Sequence, residues 1–368
     1  MALDANFSKI EKVERHPNAD KLDIATVGGY TVVCGKDEVK EGEIVFYIRD
    51  DAKLVEYENL KKYGEPYGFK YPWQQKLLKY LGSGGRVKTV KLRGVYSSGI
   101  IVPVKDVYSH INVEKSKDWQ KDNEILNGEF AGPFLLGKFG VGHYSIPIRN
   151  AGDLSARGNT LVFSLWKTDE ENYQSIDEKL FPWGDDVLVT RKLDGSSESI
   201  SASPNGEIHV MSRSMDLMTN ADNNYNRAAK VVIPLIKKYA EYYNVNVVVR
   251  GEMTSANTNK NRSNIDAVGE PTFHMFASVF PDEKEYAKKI GMWGTENHFL
   301  EFNKRLKKLT GEEILTVPIL GIEKLSKELL EKYANAPKED GEGVVFNLNC
   351  EKLPHFKSKS KDYLANLK

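Results

Sequence analysis

Two textures of hydrophobic patterning divide the chain. Up to about residue 105 the apolar positions come in short runs: Thr31-Val32-Val33-Cys34-Gly35, Gly42-Glu43-Ile44-Val45-Phe46-Tyr47-Ile48 and Ser98-Gly99-Ile100-Ile101-Val102-Pro103. Each is bounded by Gly, Pro or charged residues. Runs of that length between turn residues predict strands, and several of them in succession predict a small β-barrel. Arg86 to Gly94 reads as a further strand, with Arg86, Lys88, Lys91 and Arg93 on its exposed faces. Residues 105–130 are polar with few periodic apolar positions, which predicts a connector. From about residue 150, strands alternate with amphipathic helices, and the expected class is α+β with antiparallel sheets. Val231, Val232, Leu235, Ile236 and Tyr239 share one helical face, bent at Pro234. Phe299, Phe302, Leu306 and Leu309 predict a second helix, and Leu325, Leu329, Leu330 and Tyr333 a third.

Composition narrows the class. The 368 residues are enough for two domains. With 52 Lys+Arg against 52 Asp+Glu the net charge is zero, so any surface for nucleic acid must be a local basic patch. The most apolar stretch, Phe130 to Gly142, is interrupted by Lys138 and too short to span a membrane. No basic-then-apolar leader precedes Ser8, so an intracellular, cytoplasmic protein without membrane contact is expected. Cys34 and Cys350 are the two cysteines, which excludes a disulfide framework and a zinc site of ordinary spacing.

The candidate chemistry starts at Asp185-Asp186-Val187-Leu188-Val189-Thr190-Arg191-Lys192-Leu193-Asp194-Gly195, where an apolar strand delivers a lysine to an Asp-Gly turn. Such a lysine is a nucleophile if its neighbours suppress its protonation. The plain alternative is a surface hairpin closed by Asp-Gly. Four further blocks follow in order: Ser212-Arg213-Ser214, the strand Val247 to Glu252, the strand Phe273 to Ser278 with Phe276, and Glu342-Gly343-Val344-Val345-Phe346 with Phe356-Lys357-Ser358-Lys359-Ser360-Lys361. Lys357 and Lys359, two apart on a strand, point to one side. Together Lys192, Arg213, Glu252, Phe276, Glu342, Lys357 and Lys359 describe a pocket for a nucleoside triphosphate.

This order of blocks, over roughly residues 165–361, resembles the covalent nucleotidyltransferase superfamily of polynucleotide ligases and mRNA capping enzymes. One departure is Ala277, where many members carry an acidic residue after the stacking aromatic. The amino-terminal part, Val13-Glu14-Arg15-His16-Pro17-Asn18-Ala19-Asp20-Lys21-Leu22 with Lys91-Leu92-Arg93-Gly94-Val95-Tyr96-Ser97-Ser98-Gly99, resembles the tRNA-binding OB domain appended to some aminoacyl-tRNA synthetases. The resemblance implies an OB-fold β-barrel with its connector at residues 1–135. It further implies an α+β nucleotidyltransferase domain, an ATP-grasp-like ligase adenylation domain built on antiparallel sheets, at residues 150–368. Lys368 lies nine residues beyond Lys359, which on this reading leaves no place for the carboxy-terminal OB domain of DNA ligases and capping enzymes. An OB domain in front of a core ending at the Lys357 block resembles ATP-dependent RNA ligases of the Deinococcus and Naegleria type.

That resemblance implies ATP as substrate, Mg²⁺ or Mn²⁺ as cofactor, and RNA with 3′-hydroxyl and 5′-phosphate ends at duplex nicks. No obligate protein partner is implied. Lys192 would be the nucleophile, Asp194 would position it, and Lys357 and Lys359 would hold the α-phosphate. Arg213, Glu252, Phe276 and Glu342 would bind the nucleotide, with Asp194, Glu252 and Glu342 meeting the metal through water. Arg86, Lys88, Lys91, Arg93, Arg213 and Lys361 would contact RNA. A free lysine has a pKa of about 10.4, so the expectation is that Lys357, Lys359 and the metal lower that of Lys192. Lys167 to Gln174 reads either as a solvated loop or as a lining of the nucleotide or RNA-end pocket. The competing functions are DNA ligase, capping guanylyltransferase and a non-catalytic tRNA-binding accessory factor.

Overall fold

A single long strand organises the amino-terminal half of this computed structural model, which describes residues 4–50, 52–54, 72–75, 77, 80–108, 118–128, 131–143, 170–213, 215–217, 219–259, 263–281, 298–350 and 352–367. Strand β1 (Ala5–Arg15) pairs antiparallel with β4 (Ile44–Ile48) through Ala5–Lys9, and with β2 (Leu22–Val27) through Ile10–Arg15, with a bulge between Ile10 and Lys12. A bulge bends and twists its strand, so one strand serves both halves of the sheet β3-β2-β1-β4-β8. Here β3 is Tyr30–Gly35 and β8 is Ile100–Pro103. Ser98 N–H donates to Thr31 O at 2.8 Å, bringing the last segment back to the first hairpin.

Side chains alternate as a barrel requires, with Ile10, Val27, Val32, Val45 and Ile101 in one buried cluster. A second cluster, with Phe7, Phe46, Trp73 and Phe139, lies on the opposite side of the sheet. The segment expected to be a mere connector contributes to that second core. Val107, Tyr108 and Leu126 are buried in it, the last from helix α1 (Asp118–Leu126). The short strands β5 (Ala52–Leu54) and β9 (Val141–His143) pair with each other.

The run Arg86–Gly94 is not one strand. Only β6 (Val90–Leu92) pairs, with β7 (Val95–Ser97), around a turn in which Arg93 and Gly94 take φ of 44° and 93°. Lys91 and Arg93 are exposed, whereas Arg86 and Lys88 are half-buried. Burial, followed by the charge of Arg86, lowers the pKa of Lys88. The predicted exposed basic row is therefore reduced to Lys91 and Arg93, because an irregular segment lacks the strict alternation assumed for a strand.

By its internal contacts the chain divides into two compact units, residues 1–147 with Leu364–Asn366, and residues 148–363. The second unit carries two antiparallel sheets. One has the order β16-β10-β17-β18: Ile319–Lys324, Asp186–Lys192, Gly343–Leu348 and His355–Lys359. The other has the order β13-β12-β11-β14-β15: Asp216–Leu217, Ile208–Ser212, Ser196–Ala202, Val247–Thr254 and Thr272–Val279. Helices α2 (Asn224–Ala229), α3 (Ile233–Tyr243) and α4 (His298–Thr310) cover one face of the five-stranded sheet. Ile236, Tyr239, Phe302 and Leu306 pack there on Ile200, Val249 and Met275. Helix α5 (Lys327–Ala334) puts Leu329 and Leu330 onto Val187, Val189 and Phe346 of the four-stranded sheet. The predicted bend at Pro234 does not occur. Pro234 sits in the first turn of α3, where a missing N–H costs nothing, and Val231 lies before the helix, 74% exposed. Helix α6 (Lys361–Asn366) follows β18.

Candidate active site

The Lys192 segment crosses between the two sheets. Strand β10 belongs to the four-stranded sheet and β11 to the five-stranded one, and they do not pair, which rules out a surface hairpin. Gly195 makes the crossing possible. A Cβ there would come within 2.3 Å of Met253 O, so only glycine lets the turn dock on β14, where its N–H donates to Glu252 Oε1 at 3.0 Å.

Register then sets the reacting groups abreast. Lys192 lies opposite Gly343, and Gly343 opposite Lys359. Gly343, with φ of 149°, allows this close approach, since a Cβ would stand 2.1 Å from Ser358 O. Glu342, just before β17, reaches both lysines: Lys192 Nζ donates to its Oε2 at 2.6 Å, and Lys359 Nζ lies 3.1 Å from its Oε1.

The charges interact strongly in this half-buried setting. Burial alone would raise the pKa of Glu342, but Lys192 and Lys359 hold it down at about 2. Burial alone would lower that of Lys192, yet Glu342 and Glu252 push it above the ordinary lysine range. The lysine expected to be crowded by cations is instead an ion-paired ammonium, because the blocks that bring lysines together also bring carboxylates closer to it. The depressed amine is Lys357, lowered to about 8 by burial and by Lys359 and Lys192. Glu252 is raised to about 8 by burial and by the carboxylates of Glu342 and Glu170, against the pull of Lys192. Burial and Glu342 likewise raise Asp194.

Phe276 is half-buried on β15 and faces away from its neighbours Phe273 and Met275, which fill the apolar core. It stands at the bulge where β15 slips against Arg250 and Gly251. Arg213 is exposed just beyond β12. Lys361 does not continue the face of Lys357 and Lys359: the strand ends at Lys359 and Lys361 opens α6. Its pKa is lowered by burial, against the opposing charge of Glu331. Ser214 and residues 167–169 lie outside the described residues.

Residues 185–359 match the family model of RNA ligase, and residues 5–104 match an OB-fold domain model. Residues 185–359 are an RNA ligase domain. The chain is thus a polynucleotide ligase with an amino-terminal OB fold. The Naegleria gruberi RNA ligase with PPi superposes at a TM-score of 0.73 and 22% identity, covering 99% of this chain and 98% of that one. A mutant of that ligase with ATP and Mn gives 0.72 at 22% identity, over 98% of each chain. A further mutant, with AMP and Mn, gives 0.71 at 23% identity, again over 98% of each chain. At such identity the likeness carries the fold. No curated protein matches the chain.

Within residues 148–363, Arg250, the loop group Asn259, Asn264 and Asp266, and Tyr363 escape the motif reading, and the Lys167–Gln174 segment reads there as either a solvated loop or a pocket lining. Glu170 acts electrostatically on Lys192, Arg250, Glu252 and Lys357, and Lys357 N–H donates to Glu171 O at 2.9 Å. This segment is therefore attached to β18 and is more than a solvated loop. Arg250 shares the Glu252 side of β14, is 8% exposed, and has its pKa lowered by burial to about 10. Asn259, Asn264 and Asp266, from the loop after β14, bond to the Asp194–Gly195 turn, as does Tyr363 of α6. The one sequence signal for the loop group is a cluster of Asn and Asp directly after the Glu252 strand.

Proposed function

We propose that the chain is an ATP-dependent RNA ligase that seals 3′-hydroxyl/5′-phosphate breaks, acting on nicks in RNA-containing duplexes through a lysyl-AMP intermediate on Lys192. The observation that supports this most strongly is the row Lys192–Glu342–Lys359 inside an RNA ligase domain. In the first step Lys192 Nζ forms a bond to the α-phosphorus of ATP and the bond to pyrophosphate breaks, with two of the three ammonium protons passing to solvent and one staying on the phosphoramidate nitrogen. AMP then passes to the RNA 5′-phosphate, and the 3′-hydroxyl displaces it as the strand closes.

For attack, Lys192 has to leave the Glu342 carboxylate and lose its charge. Lys357 and Lys359 attract the triphosphate, and their charges disfavour an ammonium on Lys192 once Glu342 no longer neutralises them. An anion beside Lys357 returns that amine from its depressed state to the charged form, which makes it a better electrostatic clamp. Glu252 accepts hydrogen bonds from ribose hydroxyls and Phe276 stacks on adenine. Arg213 meets the RNA end, and Lys91 and Arg93 of the OB fold contact the RNA backbone. Asp194, Glu252 and Glu342 offer carboxylate oxygens only, the donors a hard cation prefers. Among the described residues no three His, Cys, Asp or Glu side chains converge on one point, so the set fits Mg²⁺ or Mn²⁺ held by phosphate and water with these carboxylates behind the water. Such a cation supplies positive charge where negative charge spreads on the transferring phosphoryl group.

The test is sealing of a synthetic nicked RNA duplex, with a nicked DNA duplex in parallel and ATP or GTP as sole nucleotide. Sealing of RNA with ATP is expected. Equal sealing of DNA, or use of GTP in place of ATP, contradicts the proposal.

A further inference from the structure

Every polar atom of the residue two positions after the nucleophile is engaged by residues outside the signature blocks. Asp194 N–H donates to Asp266 Oδ2 at 3.1 Å, and Asn264 Nδ2 donates to Asp194 O at 2.8 Å. Asn259 Nδ2 donates to Asp194 Oδ1 at 3.0 Å and also to Gly195 O. The Tyr363 hydroxyl donates to Asp194 Oδ2. On the other side of Lys192, the Arg191 guanidinium donates to Asp266 Oδ1 at 2.5 Å. Lys192 thus stands between two anchored neighbours.

The holders are themselves held. Asp266 N–H donates to Asn264 Oδ1 at 2.8 Å, and Asn264 Nδ2 to Asn259 O at 2.9 Å. Tyr363 N–H donates to Ser360 Oγ at 3.0 Å, and Ser360 Oγ donates to Ala336 O at 2.7 Å, which fixes the start of α6. The Tyr363 side chain is buried. A crossing loop on its own is free to move, whereas this one is tied to the β14–β15 loop and to α6.

We propose that Asn259, Asn264, Asp266 and Tyr363 are positioning residues: they hold the Asp194–Gly195 turn so that the Lys192 amine meets the α-phosphorus in line with the departing pyrophosphate. The inference rests on the lysyl-AMP reading of Lys192. Its physical basis is that reactions between held groups are steep in geometry, and a displacement of about 1 Å costs up to about a hundredfold in rate. Carboxylate oxygens have two lone pairs each, so Asp194 can accept these bonds and still meet a water or the nucleophile.

The experiment follows lysyl-AMP formation by rapid quench, with the full chain, radiolabelled ATP and Mg²⁺, for wild type, Tyr363→Phe and Asn259→Ala. Tyr363→Phe keeps the buried ring and removes the hydroxyl alone. For both variants the rate at saturating ATP is expected to fall about tenfold or more. Half-saturating ATP is expected to stay within about twofold and the melting temperature of the free protein to stay near wild type. Wild-type rates in both variants overturn the inference while leaving the lysyl-AMP reading intact. A loss explained wholly by weaker ATP binding or by unfolding overturns it as well. If Tyr363→Phe does not fold, the Asn259→Ala result decides on the same criteria. Absence of any adduct in the wild type overturns the lysyl-AMP reading itself, so the two failures are distinct.

Discussion

Glu342 is the residue on which the charge balance turns. One carboxylate faces two lysines, and its pKa falls to about 2 although burial works the other way. Replacing it with Gln leaves Lys192 and Lys359 beside each other without a counter-charge, so ATP, a polyanion, is expected to bind at least as tightly to Glu342→Gln. If Glu342 has the proposed role of ordering water on the metal, lysyl-AMP formation is expected to fall by a hundredfold or more, on the order of an oxyanion-type contact. Equilibrium binding and quench kinetics on the same variant separate the two effects. Glu252 carries a different signature. Its pKa rises from 4.5 to about 8, so its contribution to folding is fully present below about pH 4.5 and is lost as pH rises through 8. Lys357 falls from 10.5 to about 8, so the unfolded chain binds more protons above pH 8 and stability recovers there. Melting of the free protein is therefore expected to show Glu252→Gln more stable than wild type at pH 8, by on the order of 1–2 kcal/mol after screening, with the difference vanishing at pH 4.5. A constant difference across that range contradicts the assignment.

At the scale of elements, both sheets and the loop that crosses between them supply the candidate groups: Lys192 closes β10, Lys357 and Lys359 lie on β18, Glu252 lies on β14, and the crossing loop carries Asp194. Strand β11 shows why the five-stranded sheet has two unlike faces: Ile200 and Ala202 enter the apolar core, while Ser197 and Ser199 stand opposite Glu252 and Arg250. Glu198 departs from this alternation. It lies on the core side at 0% exposure, neither carboxylate oxygen has a hydrogen-bond partner, and burial raises its pKa well above the carboxylate range. Its protonated form is the one the fold accepts, so stability is lost as pH rises beyond the ordinary carboxylate range. Glu198→Met, similar in volume and without the charge, is expected to raise the melting temperature by a few degrees at pH 8 and hardly at all near pH 4, which a thermal scan at the two pH values checks. Strands β3, β4, β8 and β14 and the later helices were legible in the sequence because a half-buried strand or helix needs periodic apolar positions, as at Phe299, Phe302 and Leu306. Three things were not. Whether β10 and β11 share a sheet depends on long-range pairing, to which an Asp-Gly turn is indifferent. Pro234 has one meaning inside a helix and another in its first turn, and the boundary is set by the packing of Ile236 and Tyr239. The side chains that hold Asp194 are ordinary Asn, Asp and Tyr residues whose partners lie 65 to 169 positions away, a separation that no local pattern encodes.

At the scale of the whole molecule, the proposed reaction would divide its labour between the two units. The acquisition of AMP needs only the groups gathered around Lys192, all within residues 148–363, whereas engagement of a long polyanion calls on a wider basic surface. A chain beginning at residue 148 is thus expected to form lysyl-AMP near the full-length rate and to seal nicked RNA at least tenfold more slowly. The gap is expected to narrow at high salt, where phosphate contacts weaken for both. Equal sealing by the two chains at low salt contradicts an RNA role for the OB fold. Lys91→Ala with Arg93→Ala tests the same claim by residue: the salt slope of RNA binding is expected to fall by about one to two. All of these depend on the Lys192 amine becoming covalently bound to AMP. The intact mass and peptide map of the full chain, first cleared of bound nucleotide with pyrophosphate and then incubated with ATP and Mg²⁺, show whether it does. One added AMP is expected, located on the peptide containing Lys192 and absent from Lys192→Ala and Lys192→Arg; a wild-type chain without the adduct, or one that carries it on Lys357, overturns the lysyl-AMP proposal.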